Sequence, residues 1–301
     1  MPTLAPAHRG VHFLPMLVSL ALVALLQAAP AAAPAAAPSD PVESDWHDIP
    51  DDDVLVINLA GNHQVVIRLA PRYAPEHVAN IRRLARARWW DGTSVYRVQD
   101  NYVTQWGDAT EKKKLPPDVI ENPPAEYEWT GYDGVTTLAR GDSYAAKTGH
   151  SADGWPLGSD GKQAWLTHCY GMVGVARDLA PSTGSGAELY TVIGHAPRAL
   201  DRNIALVGRV IAGMQWLSSL PRGTGDLGVY KTEAERIPIL SVRLASQLPA
   251  DERPHFQYRA TDNARFAAWI ATRENRQPPF FTVPAGGADI CNMQDPIRPK
   301  P

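Results

Sequence analysis

Cysteine is nearly absent from this sequence. Only Cys169 and Cys291 occur, with no Cys-x-x-Cys, so neither a dithiol redox motif nor a thiolate zinc site can be drawn. There is no His-Glu-x-x-His pair, no Gly-x-Ser-x-Gly elbow and no Gly-Lys-Ser/Thr phosphate loop. Zinc-protease, serine-hydrolase and nucleotide chemistry therefore have no motif to rest on. Thr183 to Ala187 looks like a phosphate cradle but lacks the lysine, and reads as a polar surface turn. An excess of one charge is also missing. With 29 Lys and Arg against 32 Asp and Glu the net charge is −3, and the single cationic run, Lys112 to Lys114, leads straight into Leu115-Pro116-Pro117. Such a run is a solvated loop, and no nucleic-acid partner is expected. The nine histidines are scattered, none paired at a ligand spacing, so the expected metal and cofactor content is none.

Long apolar runs are confined to the N-terminus. Arg9 and His12 precede Phe13 to Leu26, and Ala28-Ala29-Pro30-Ala31-Ala32-Ala33 follows. That is the order of a secretory signal, and its apolar part is short for a membrane span. The expectation is a cleaved signal and Ala/Pro-rich leader over 1–38 and a periplasmic or secreted protein; the other reading is an uncleaved anchor. In an oxidising compartment Cys169 and Cys291 either form a disulfide or stay as two separately buried thiols.

What is present suits a globular fold: 301 residues, 44% of them hydrophobic, can bury a core. Val54 to Leu59 and the alternating Val65 to Leu69 predict a hairpin across Ala60-Gly61-Asn62-His63. Pro75 can open a helix carrying Val78, Ile81 and Leu84, ended by Asp91-Gly92. Ser94 to Thr104 reads as two strands broken at Asp100-Asn101. A Gly-, Pro-, Asp- and Trp-rich insertion follows over about 109–168, too long to be structureless in a compact domain. Three short strands (Tyr170 to Val175, Glu188 to Ile193, Ile204 to Val210), a short helix within Gly213 to Leu220 and a strand through Leu240, Val242 and Leu244 complete a domain over 45–248. Many short strands with two helices argue for a sandwich or closed barrel. The remainder, 249–301, reads as an extension with a short helix capped by Asp262 and carrying Phe266, Trp269 and Ile270.

The segment Val95 to Asp108 carries the candidate chemistry. On two strands, Arg97 and Gln99 share one face, and Val103 and Gln105 share one face of the next. A guanidinium, an amide and an apolar surface can converge there without an acid or base. On position alone, Arg97 reads first as an exposed strand arginine.

This segment resembles the signature strand pair of cyclophilins, through Arg97, Tyr102, Val103, Gln105, Gly107 and Asp108. Ala74-Pro75, Val78-Ala79-Asn80 and Asp91-Gly92-Thr93 upstream, and Gly171 to Ala176, Leu189 to Val192, Leu200-Asp201 and Val207 to Met214 downstream, resemble the family's other motifs in order. The resemblance implies a mainly β fold: a closed eight-stranded antiparallel barrel with two capping helices and a substrate groove outside. It implies a peptidyl-prolyl cis/trans isomerase acting on proline-containing segments of exported proteins, with Arg97 catalytic and Gln105 holding the substrate backbone. Tyr102, Val103, Tyr190 and Leu200 would line the proline pocket, and Ala176, Arg177 and Glu188 the groove. The chain departs from the pattern at Ala199, Ile204, Arg177, Glu188 and Trp106, which stand where the family has Trp, His, Asn, Gln and Gly. These departures imply weak cyclosporin-type inhibitor binding, and leave a catalytically weak peptide-binding or chaperone module as the alternative.

Overall fold

The computed structural model of the protein describes residues 39–294 and 296–301; the expected export signal and leader lie outside them. A short strand, β1 (Trp46–Asp48), precedes the expected hairpin of β2 (Val54–Leu59) and β3 (His63–Leu69). Helix α1 (Pro75–Arg86) has Pro75 in its first turn, where a missing N–H costs nothing, and buries Val78, Ile81 and Leu84. It stops short of Asp91-Gly92, because Arg88 adopts a left-handed backbone and the chain turns to bury Trp89 and Trp90. The hairpin of β4 (Ser94–Val98) and β5 (Val103–Gly107) follows.

The insertion has a sheet of its own, in the order β6-β10-β9-β8-β7. Its strands are β6 (Trp129–Thr130), β7 (Thr136–Thr137), β8 (Lys147–His150), β9 (Pro156–Ser159) and β10 (Gln163–Leu166). With two to four residues each, they are too short to display a period in sequence. The chain continues through β11 (Met172–Val175), β12 (Leu189–Val192), β13 (Leu206–Ala212), the single turn α2 (Gln215–Ser218) and β14 (Ile237–Leu244). The last elements are β15 (Phe256–Arg259), α3 (Ala264–Glu274) and β16 (Ile297–Pro299). Asn263, not Asp262, caps α3: its side-chain oxygen accepts the Phe266 N–H at 3.0 Å.

Eight strands close an antiparallel barrel in the order β11-β12-β5-β4-β14-β2-β3-β13. Strand alternation sends Leu55, Ile57, Val65, Ile67, Val173 and Val242 into one buried cluster with α1. Trp106 points the same way and meets Trp90 at 5.9 Å between ring centroids. The inside is thus filled with side chains, and any site must lie outside the barrel.

Much of the outside is covered as well. Val54 and Val56 of β2 pack beneath Ile49 and Ala245, with Phe256 and Tyr258 of β15 and Ile297 of β16 against them. Burial on both faces is why β2 reads as one continuous apolar run. A further cluster joins Val103, Tyr190 and Val192 of the barrel to Leu157 and Leu166 of the insertion and to Phe266 and Ile270 of α3. Cys169 and Cys291 are bonded to each other across 122 positions, tying the tail to the chain just before β11.

Candidate active site

Regular pairing across the β4–β5 hairpin sets Ser94 opposite Gly107, Val95 opposite Trp106 and Arg97 opposite Gln105. Tyr96 is therefore an extra residue, a β-bulge. In an unbroken strand Tyr96 and Arg97 would face opposite sides; at the bulge both reach Gln105. The guanidinium Nη1 of Arg97 donates to Gln105 Oε1 at 2.8 Å, and Gln105 Nε2 donates to Tyr96 Oη at 2.5 Å.

Arg97 is half-buried and held from three directions. Besides Gln105, its Nη2 donates to Gln99 Oε1 and its Nε to the Leu227 carbonyl at 2.8 Å. Three of the five guanidinium N–H groups are thereby used within the described residues, leaving one on each terminal nitrogen. The Leu227 carbonyl is in place because Gly228 (φ +80°) brings its segment against β4; a Cβ there would sit 2.7 Å from the Val98 oxygen. At the hairpin turn, the His195 N–H donates to Asn101 Oδ1 at 3.0 Å, and a Cβ on Gly194 would sit 2.2 Å from the Asn101 carbonyl carbon. The Tyr102 ring lies 5.8 Å from the guanidinium carbon. Burial lowers the Arg97 pKa from its ordinary value, against the opposing influence of Tyr102 and Tyr96.

Beside this arginine opens a cavity of about 600 Å³, lined by Tyr96, Gln105, Asp108, Ala176, Arg177 and Glu188 among others. Arg177 is fixed at its edge, giving Nε and Nη2 to the Asn203 carbonyl at 3.1 and 3.0 Å. Glu188 does not extend freely into the space. Its Oε2 accepts the Tyr96 hydroxyl at 2.8 Å and its Oε1 the Asp108 N–H at 2.6 Å. Burial pushes its carboxyl up to about 7, against those two hydrogen bonds.

The expected residues divide into two groups. Gln105, Ala176, Arg177 and Glu188 share the cavity, and Gln105 reaches Arg97. Val103 and Tyr190 are buried beneath the insertion, with Tyr102 and Leu200 half-buried against the same cluster; none of the four lines the cavity. The Tyr190 hydroxyl is 2.8 Å from His168 Nε2, and His168 Nδ1 is 2.9 Å from Asp201 Oδ1. Asp201 also accepts from Arg198 Nε at 2.9 Å and Trp165 Nε1 at 3.3 Å. Sequence reading missed Tyr96, the Asp108 N–H and the Leu227 carbonyl as members of the site. Tyr96 was hidden by strand alternation, and a backbone donor or acceptor has no signature in residue type.

A closed antiparallel barrel with a filled interior, a braced external arginine and a groove beside it defines a class: barrel proteins whose site lies on the outer wall rather than inside. Residues 54–244 match the family model of the cyclophilin type peptidyl-prolyl cis-trans isomerase/CLD. The chain belongs to this family and is a peptidyl-prolyl isomerase. Two proteins described as probable peptidyl-prolyl cis-trans isomerases, from Brucella suis biovar 1 and Brucella melitensis biotype 1, are each 24% identical to it over 160 residues, which is 53% of this chain and 67% of theirs. The crystal structure of cyclophilin AquaCyp293 from Hirschia baltica is similar over 84% of this chain and 93% of its own, with a TM-score of 0.65 and 24% identity, a likeness of fold.

Proposed function

We propose that Arg97 drives isomerisation by donating a hydrogen bond to the prolyl nitrogen of an exported protein's X-Pro segment lying along the outside of the barrel. Rotation about that bond meets a barrier of about 18–20 kcal/mol because the nitrogen lone pair is conjugated with the carbonyl. Halfway through the rotation the nitrogen is pyramidal and its lone pair free to accept, so a donor placed there stabilises the twisted amide over either planar form. No proton is transferred and no bond is made. An acceleration of ~10⁵ corresponds to about 7 kcal/mol, of which a charge-assisted hydrogen bond supplies about 1.5–3. The rest comes from holding the chain on both sides of the proline, with Gln105 on its backbone and Ala176, Arg177 and Glu188 along the groove, while Val103 and Tyr190 lie covered by the insertion and Tyr102 and Leu200 are only half-buried beside them.

The observation that carries this reading is the three-point bracing of Arg97 with two N–H groups still unused. Arg97→Ala is expected to lower kcat/KM for a proline-containing peptide at least about a hundredfold, with the folded state intact by circular dichroism; near-normal turnover rejects the role. A second reading, peptide binding with weak turnover, is favoured by the burial of Val103 and Tyr190. It predicts that the peptide binds with ordinary affinity while the wild-type rate barely exceeds the uncatalysed one. Export through the N-terminal signal to the periplasm or medium is part of the proposal, and the Cys169–Cys291 bond supports it, since such bonds persist in oxidising compartments.

A further inference from the structure

We infer that Glu188 is a positioning residue for Arg97, acting through a one-way hydrogen-bond chain in which Arg97 donates to Gln105, Gln105 to Tyr96 and Tyr96 to the Glu188 carboxylate. This rests on Arg97 being the catalytic group. The links are 2.8, 2.5 and 2.8 Å, and the Asp108 N–H closes the far end at 2.6 Å.

The chain has a direction because its two ends are fixed. A guanidinium can only donate, and so can the Asp108 backbone N–H. An ionised Glu188 accepts with both oxygens, so the Tyr96 proton points at Glu188, the Gln105 NH₂ points at Tyr96, and the Gln105 carbonyl is left facing Arg97. Protonation reverses this order. The Asp108 N–H pairs better with a carbonyl oxygen than with a hydroxyl, so the proton takes Oε2 and donates to Tyr96. The Tyr96 hydrogen then turns to its other polar neighbour, Gln105, whose amide flips to offer its carbonyl to Tyr96. That leaves the NH₂ of Gln105 against Nη1 of Arg97, donor against donor, and the guanidinium loses one of its three braces. Replacement by glutamine has the same consequence: an amide offers one acceptor atom where the carboxylate offers two, and the fixed Asp108 N–H claims it.

Several charged or titratable groups face Glu188. Tyr96 comes from β4, Asp108 from the end of β5, Glu111 and Lys113 from the loop after it, Glu121 from the insertion, and Arg177 and Asp178 from the segment after β11. Burial works against the Asp108 charge, but the N–H groups of Lys113, Thr110 and Lys112 and the Thr110 hydroxyl outweigh it and hold that carboxyl below its ordinary value. Its fixed negative charge opposes ionisation of Glu188. Burial, helped by the neighbouring carboxylate, raises Tyr96 far above the ordinary phenol range, so it stays a neutral relay. With Glu188 raised to about 7, the carboxyl changes charge near neutral pH.

X-Pro rotation moves no proton, so a blocked peptide without ionisable groups has no pH dependence of its own. On such a substrate, wild-type kcat should fall about tenfold from pH 8 to pH 5.5 with a midpoint near 7, while KM changes little. Glu188→Gln should give a flat profile at the low-pH rate. Tyr96→Phe, which leaves the carboxylate and its Asp108 bond in place, should also remove the step. A flat wild-type profile, a Glu188→Gln enzyme as fast as wild type at pH 8, or a Tyr96→Phe enzyme that keeps the step would each overturn the relay. Arg97→Ala in the same assay separates the two claims. A hundredfold loss there beside a fully active Glu188→Gln removes only the relay; no loss there removes the catalytic arginine itself.

Discussion

Glu188, just before β12, and Tyr190, within it, stand two residues apart, and each begins a polar network with opposite physical character. From Tyr190 the contacts run to His168, Asp201 and Arg198, whose side chains are 0%, 5% and 0% exposed. From Glu188 they run to Tyr96 and Gln105, half-buried at the wall of an open cavity, and on to the half-buried Arg97 beside it. In the sealed network every lost partner is a desolvated group left unpaired, so one arrangement survives. In the open network a displaced partner can turn to water or to substrate, so the arrangement can change with charge and occupancy. The insertion and the tail make this difference: they lie over Tyr190 and leave Glu188 at the opening.

The comparison can be broken most severely by loosening the seal. Replacing both Cys169 and Cys291 with serine removes a closure across 122 positions, and loop entropy assigns it about 4–5 kcal/mol of stability, readable by chemical denaturation. A change below about 1 kcal/mol would mean that the tail is held by its apolar contacts alone. Asp201→Ala should cost about 3 kcal/mol, since it removes the acceptor of buried His168, Trp165 and Arg198 Nε while Arg198 keeps its Asp142 pair, yet turnover per folded molecule should stay within a few-fold. Arg97→Ala should show the reverse: about 2.7 kcal/mol of transition-state stabilisation lost, equivalent to a hundredfold, with an unfolding midpoint close to wild type.

A smaller effect concerns Glu188 and sharpens the contrast. Its folded pKa of about 7 lies above the ordinary 4.5, so the folded protein binds this proton more tightly than the unfolded chain does. The stability this contributes is fully present below pH 4.5 and is lost as pH rises through about 7. Relative to Glu188→Gln, the wild type should therefore lose on the order of 2 kcal/mol between pH 5 and pH 8, measured by paired denaturation curves. Stability and the proposed relay thus move in opposite directions with pH.

Much of this arrangement was legible in advance. Arg97 and Gln105 could be placed together because period-two alternation across a tight turn sets them on one face, and the ordered motifs from Ala74 to Met214 carried the barrel. The helix start at Pro75 and the hairpin of Val54 to Leu69 followed from local rules. The five-stranded sheet of the insertion did not, because strands this short carry no periodic signal and are assembled by pairing with one another. Tyr96 was illegible for a different reason: a bulge depends on how β4 pairs with β5, and the same residues in a regular strand would turn that phenol away.

The amino-acid sequence alone determined the short strands and the turn that brings Arg97 and Gln105 together, because alternation and turn chemistry act over a few neighbouring residues. The closed barrel and the role of the arginine rested on the resemblance of its ordered motifs to cyclophilins. Which part of the outer wall stays open was decided only in three dimensions. Residues from the insertion, from α3 and from beyond Gly225 come from distant points of the chain to cover Tyr190, leave Glu188 at the cavity and brace Arg97, and contacts between such distant segments exist only once the barrel has closed.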